Sequence, residues 1–223
     1  MITYDEVLLR LRENADEDYR AFHKKLLKNE AIELIGVRTP VLRALAKEWK
    51  GEREIFSFPN EYYEIGFLKC SVAGALPFEE FCLIVDKLVD DLDNWATCDC
   101  FTAKCIAKHK EEFLPYIGRW LQSPKEFTRR YGLVALLHDY VQEEYLPVLF
   151  GAIKGVKEGA PYYVMMAAAW LLAEIFVKFY EDGLVFIKEN ILSTAVQNKG
   201  IQKARESFRL TQEQKSVLKS CKI

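Results

Sequence analysis

The chain has 223 residues, of which 50% are apolar and 13% aromatic, and its formal net charge is −2. This apolar content excludes an intrinsically disordered protein, and no run approaches the roughly 18 uncharged apolar residues of a membrane span. The slightly acidic balance excludes a strongly basic nucleic-acid-binding protein of the histone type.

The N-terminal segment and the cysteines bear on cellular location. Residues 1–20 are charged and amphipathic and lack the pattern of a signal peptide, so we expect a cytoplasmic protein. The six cysteines are then expected to be free thiols. Cys98, Cys100 and Cys105 are close in sequence, but they form no C-x-x-C pair and no second pair follows. We therefore expect no metal site.

Apolar residues at helical spacing recur along nearly the whole chain. Residues 4–14 show the pattern first, with apolar positions at i, i+3, i+4 and i+7. In the next clear helix, Thr39 is the predicted N-cap, Pro40 the first helical residue, and Gly51 follows the last turn. Two later steps mark further helix starts: Ser123-Pro124 and Ala160-Pro161.

The predicted helices form a loose repeat of about 30 to 40 residues. The segments that recur are Gly66–Leu76, Trp95–Ala107, Arg129–Leu137 and Met165–Glu174. This period is typical of HEAT-like helical pairs, which stack into a curved solenoid whose concave surface is lined by alternate helices. No Gly/Ser-rich linker interrupts the chain. We predict an all-α, HEAT-like helical-repeat solenoid, an alpha-alpha superhelix, forming a single curved domain over residues 1–223.

Four residues could carry chemistry on the concave surface. Trp95 and Asp99 are four residues apart and share one helical face, while Arg130 and Trp170 fall in later repeats. If the repeats stack regularly, all four side chains point into one groove. Indoles attract cations, a carboxylate stabilises an oxocarbenium ion and orients water, and an arginine binds phosphate. The set fits cleavage of an N-glycosidic bond to a positively charged, alkylated DNA base.

Structural roles remain open for the same residues. Trp170 lies among alanines and leucines and could belong to the core. Asp99 could cap a helix or pair with Lys104 or Arg130. Arg129 and Arg130 could form a solvated helix face. Composition and spacing alone do not decide between these roles and catalysis.

Five motifs, in this order, make the chain similar to a known family. They are IGVRTPVLRALAKEW at 35–49, DNWATCDCF at 93–101, EFTRRYGLVALL at 126–137, YYVMMAAAWLLAE at 162–174 and NKGIQKARESFR at 198–209. Together they resemble the AlkD-like DNA alkylation repair family, whose members are bacterial DNA glycosylases built from HEAT-like repeats. The resemblance covers essentially the whole chain.

The resemblance implies roles for individual residues. Asp99 matches the catalytic aspartate of the family, Trp95 and Trp170 match its aromatic wall, and Arg130 matches the arginine that serves the DNA backbone. Arg129 is the alternative register for that arginine. The implied activity is that of a monofunctional glycosylase that excises cationic N3- and N7-alkylated purines from double-stranded DNA. It uses no metal and no cofactor, and we expect a monomer.

The chain also departs from the pattern of active members. Met165 and Met166 stand where a polar-basic pair is frequent, Ala173 stands where an arginine is frequent, and Leu27 matches a tyrosine. The chain is closer to a divergent branch of the family, for which glycosylase activity does not follow. The alternative function is a non-catalytic module that binds branched or damaged nucleic acid, or a protein partner, in its concave groove.

Positive charge collects at the C-terminal end. Residues 112–223 hold 15 basic against 12 acidic side chains, and the last 25 residues hold 7 against 2. Two pairs of cations lie four residues apart there, Lys199 with Lys203 and Arg205 with Arg209. We expect one pair to face the groove and contact DNA phosphates, which would make binding strongly salt-dependent. A solvated helix surface is the alternative.

Overall fold

The computed structural model describes residues 1–223, of which 70% are helical and none form a strand. The α-helices are α1 (Tyr4–Glu13), α2 (Glu17–Leu27), α3 (Thr39–Glu48), α4 (Tyr63–Ala73), α5 (Phe78–Asp90), α6 (Trp95–Cys100), α7 (Lys110–Leu121), α8 (Glu126–Asp139), α9 (Leu146–Lys154), α10 (Tyr162–Lys178), α11 (Tyr180–Lys188), α12 (Thr194–Glu206) and α13 (Gln212–Ser220). The predicted all-α, helical-repeat fold is confirmed. No helix has the length and apolar content that crossing a bilayer requires.

The helices divide into two compact units, Met1–His109 and Lys110–Ile223. The first unit holds α1 to α6 and the second holds α7 to α13. Helix α4 is the centre of the first unit, because it packs against α3, α5 and α6 and nine of its 11 residues are buried. The single-domain organisation over residues 1–223 stays a prediction.

Alternate helices lie side by side in the second unit. Helix α10 packs against α8 on one flank and α12 on the other, and it also contacts α9 and α11. Gly200 allows α12 to approach closely, since a Cβ atom there would lie 2.7 Å from Leu172 Cδ2. Side-by-side packing of alternate helices is what stacked helical pairs produce.

Two predicted helix boundaries need correction. Thr39 is the first helical residue of α3 and Pro40 the second, with Arg38 as an N-cap whose side chain makes no capping hydrogen bond. The predicted helix Trp95–Ala107 ends early: α6 stops at Cys100, and a separate 3₁₀ turn covers Lys104–Lys108.

Burial of the connecting segment explains why α6 is short. Phe101 and Ala103 are 2% and 3% exposed, so both leave the helix to enter the core. The Lys104 N–H then donates to the Gly74 carbonyl at 3.3 Å. A continuous helix would satisfy that N–H within itself but would carry Phe101 in another direction.

A buried carboxylate holds the turn that precedes α3. Glu64 of α4 is 0% exposed. Its Oε1 accepts the N–H groups of Gly36 at 2.7 Å and Val37 at 3.1 Å, and its Oε2 accepts that of Ile35 at 3.0 Å. Gly36 has φ +101°, a conformation that glycine adopts without steric cost. The three N–H groups thereby converge on one side chain.

His23 in α2 is a buried histidine with an unsatisfied ring atom. It is 3% exposed, its ring packs edge-on against Tyr63 with centroids 4.6 Å apart, and its Nδ1 has no hydrogen-bond partner. Burial lowers the pKa of His23. The unfolded chain binds a proton at the ordinary pKa of about 6.5, so protonation below that pH favours the unfolded state.

We expect the effect of His23 protonation on the stability of the fold to be measurable. As the pH falls from 7.5 to 5.5, the free energy of unfolding should drop by up to about 1.4 kcal/mol through His23 alone. His23→Phe keeps a ring against Tyr63 but cannot be protonated, so it should lack this component. Urea unfolding of both proteins at both pH values measures the difference. An equal pH dependence in the two proteins would contradict the prediction.

Candidate active site and nucleic-acid surface

The start of α6 is fixed by a buried cap. Asn94 is 3% exposed, and its Oδ1 accepts the Thr97 N–H at 2.8 Å. Its amide nitrogen donates to Asp93 Oδ1 at 2.7 Å. An N-cap of this kind satisfies one of the free N–H groups at the start of a helix. It also fixes the direction in which the short helix presents its side chains.

Trp95 and Asp99 lie together on the partly exposed face of α6. Both are half-buried, whereas Ala96, Thr97 and Cys98 on the other side are buried. Trp95 packs against the hydrophobic core of the first unit and keeps part of its indole accessible. The pair therefore presents an aromatic surface beside a carboxylate, as the spacing of four residues predicts.

Trp170 lies in the second unit and lines a pocket there. We call this the Trp170 pocket; its walls are Trp170, Ala173, Glu174, Val177, Lys203, Ala204, Glu206, Ser207 and Arg209. Trp170 is half-buried, and its ring makes an edge contact with His138, with centroids 6.4 Å apart. Part of the indole thus serves packing and part faces the pocket.

An ion pair crosses the Trp170 pocket. The two guanidinium nitrogens of Arg209 donate to the two carboxylate oxygens of Glu174 at 2.9 and 2.7 Å. Glu174 is four residues after Trp170, so the second unit repeats the indole-and-acid spacing found on α6. The Lys203 ammonium in the same pocket makes no ion pair and can accept an anionic ligand.

The basic residues of the tail face in different directions. Lys203 and Arg209 line the Trp170 pocket. Arg205 donates from Nε to the Lys215 carbonyl at 3.0 Å and so attaches α13 to α12. Lys199 donates to Gln202 Oε1 at 3.1 Å. The structure therefore places one cation from each predicted pair in the pocket, rather than one complete pair.

Arg130 is a buried residue of α8. It is 6% exposed, and its Nη1 donates to the Tyr163 carbonyl at 2.7 Å. Glu126 of the same helix accepts the Tyr163 N–H at 2.8 Å. Together the two side chains attach α8 to the first turn of α10. The phosphate contact of Arg130 stays a prediction.

Arg129 points to a different part of the second unit. It lines a groove bordered by α7, α8 and α9, which also contains Lys157. Neither cation makes an ion pair. Arg129 and Trp170 line separate pockets. A contact between Arg129 and the DNA backbone would therefore lie outside the Trp170 pocket.

The structure also shows where the residues lie at which the chain departs from active family members. Leu27 is 2% exposed and belongs to the core of the first unit. Ala173 forms part of the Trp170 pocket, and Met165 and Met166 are half-buried on α10. The Lys203 cation therefore lies in the pocket whose wall carries an alanine in place of the arginine.

The comparison with known families identifies the chain. The model of a family described as DNA alkylation repair enzyme matches residues 7–203. The chain belongs to this family. The resemblance to AlkD-like proteins is thereby confirmed. A search of curated proteins finds no match.

Membership in the DNA alkylation repair family has two consequences. It indicates a function in DNA repair, and it indicates DNA as the substrate. The motifs that carry Trp95, Asp99, Arg130 and Trp170 all fall within the matched range.

Proposed function

We propose that the chain is a DNA glycosylase-like repair protein. Its substrate would be a cationic N3- or N7-alkylated purine in duplex DNA, and its reaction the hydrolysis of the N-glycosidic bond. The observation that carries the proposal is the Trp95–Asp99 pair, an indole and a carboxylate held half-exposed on one face of α6. A core position would accommodate the indole but not the acid.

The proposed reaction balances without a further reactant. A water molecule attacks C1′ of the sugar while the bond from C1′ to the base nitrogen breaks. The bonding electrons leave with the base, which departs neutral because it begins as a cation. The Asp99 carboxylate stabilises the positive charge that develops on the sugar and accepts a proton from the water.

The other site residues are proposed to bind the substrate. Trp95 and Trp170 would offer ring faces to the cationic base, at about 0.5 to 2 kcal/mol for each contact. Arg130 would bind a DNA phosphate through its guanidinium. Lys203 would contact a further phosphate beside Trp170. Additional DNA contacts stay predictions for four residues: Arg129, Lys199, Arg205 and Arg209.

The base-release assay tests the proposal directly. Duplex DNA treated with a methylating agent is incubated with the purified protein, and the released bases are separated by chromatography. We expect free 3-methyladenine or 7-methylguanine in proportion to the protein added. No release above the spontaneous rate would contradict the enzymatic proposal.

A second candidate function is a non-catalytic module that binds branched or damaged DNA. The departures from active members favour it, since Leu27 is buried and Ala173 adds no charge to the Trp170 pocket. DNA binding that falls steeply with salt, without base release, would support this candidate. No DNA binding at low salt would instead indicate a protein partner or an unrelated ligand.

Lys203→Ala is expected to weaken DNA binding by removing one phosphate contact. The slope of log K against log salt concentration should decrease in magnitude by about 0.9. Lys188→Ala is the matched control, because Lys188 is an exposed lysine on α11 outside the Trp170 pocket. Fluorescence anisotropy titrations at four salt concentrations measure both slopes. Equal slopes for the two variants would argue against a Lys203 contact.

A further inference from the structure

Phe208 is the most exposed aromatic residue of the protein. It is 94% exposed and lies in the turn between α12 and α13. A single exposed apolar side chain needs no explanation by itself. Three further features of Phe208 do point to a ligand: the turn is braced, the Trp170 pocket adjoins it, and the last 25 residues of the chain carry an excess of basic side chains.

The turn that carries Phe208 is held on both sides. The Ser207 N–H donates to the Ala204 carbonyl at 3.1 Å, and the Arg209 N–H donates back to Ser207 Oγ at 3.2 Å. The Arg209 guanidinium is fixed by Glu174. Phe208 therefore projects from a turn that hydrogen bonds hold in one conformation. Because the turn is ordered before binding, little conformational entropy is lost when Phe208 contacts a ligand.

The location of the turn connects Phe208 to the Trp170 pocket. Its two sequence neighbours, Ser207 and Arg209, both form walls of that pocket. Lys203 lies there too, and the last 25 residues carry 7 basic against 2 acidic side chains. Surfaces that bind nucleic acids combine aromatic side chains, which stack on bases, with cations, which bind the phosphate backbone.

We propose that Phe208 is an aromatic wedge, which inserts beside a nucleobase and stacks on it when DNA binds at the Trp170 pocket. This inference rests on the proposed DNA-binding function. Apolar side chains that enter a base step unstack it partly and kink the duplex. A damaged or missing base lowers the cost of that unstacking, so the wedge would favour lesions over intact duplex.

A duplex that cannot be cleaved separates the wedge from catalysis. The probe carries a tetrahydrofuran abasic analogue with 2-aminopurine as the neighbouring base. Binding is measured by anisotropy, and unstacking by the rise in 2-aminopurine fluorescence. We expect the wild-type protein to raise the fluorescence and Phe208→Ala to lose most of this rise, while binding about 5- to 100-fold more weakly. Phe208→Trp should retain both signals.

Val185→Ala is the matched control. Val185 is an apolar residue of α11 that is 63% exposed, and its replacement should leave both signals unchanged. Because Phe208 is almost fully exposed, Phe208→Ala should keep the wild-type urea midpoint, which shows that the variant folds.

The possible outcomes distinguish a failure of the wedge proposal from a failure of the glycosylase proposal. Equal binding and equal fluorescence for wild type and Phe208→Ala would overturn the wedge. Absence of base release, with the fluorescence change intact, would overturn the glycosylase proposal alone. Absence of all DNA binding would overturn both.

Discussion

Asp99→Asn is expected to reduce the release of alkylated purines by about 10²- to 10⁴-fold while leaving DNA binding largely intact. The amide has the size of the carboxylate but carries no negative charge. It can neither stabilise the positive sugar in the transition state nor accept the proton of the attacking water. The measurement is single-turnover base release from methylated duplex DNA, with affinity for the abasic-analogue duplex determined in parallel.

Asp18→Asn is the matched control for this experiment. Asp18 is an exposed aspartate on α2 of the same unit, so its replacement makes the same change in net charge outside the proposed site. We expect wild-type rates from it. If Asp99→Asn and Asp18→Asn release base equally fast, Asp99 is not the catalytic carboxylate. If Asp99→Asn instead loses DNA affinity in proportion to rate, its role lies in binding.

The sequence predicts the fold well because helical periodicity is a local property. Apolar spacing along the chain reflects which face of each helix is buried, most clearly in α3, α5 and α7. The boundary errors have a different origin. Helix α6 ends at Cys100 because Phe101 enters the core and Lys104 bonds to Gly74, and these contacts join residues far apart in sequence.

The candidate site is predictable only where a single helix carries it. The Trp95–Asp99 pair requires nothing beyond a spacing of four residues on α6. The same spacing in Trp170 and Glu174 was available in the sequence as a signal for a second indole-and-acid pair. What spacing could not supply is the Glu174–Arg209 ion pair, which depends on how α10 and the turn after α12 pack.

The tail shows why charge patterns alone do not assign contacts. Lys199, Lys203, Arg205 and Arg209 look equivalent in the sequence, because each is a basic residue at helical spacing. In the structure, Arg205 is committed to the Lys215 carbonyl and Arg209 to Glu174. Lys203 is left as the unpaired cation beside Trp170. Exposure and partners, which are tertiary properties, separate a binding residue from a structural one.

Glu64→Ala is expected to cause the largest loss of stability of any change considered, about 3 to 5 kcal/mol. The substitution removes the acceptor of three buried N–H groups, those of Ile35, Gly36 and Val37. Burying polar groups without partners costs about 1 to 3 kcal/mol for each group when no water reaches it. The vacated volume adds a cavity, because Glu64 is fully buried.

Urea unfolding of wild type, Glu64→Ala, Glu64→Gln and Glu79→Ala tests this interpretation. Glu79 is an exposed acid at the start of α5, so Glu79→Ala should change the free energy of unfolding by only a few tenths of a kcal/mol. Glu64→Gln should fall between the two alanine variants, because its single oxygen can still accept from Gly36 and Val37 while its NH₂ group faces the Ile35 N–H. A Glu64→Ala protein as stable as Glu79→Ala would mean that water satisfies the turn. In that case the ordered geometry of residues 35–37 does not depend on the carboxylate.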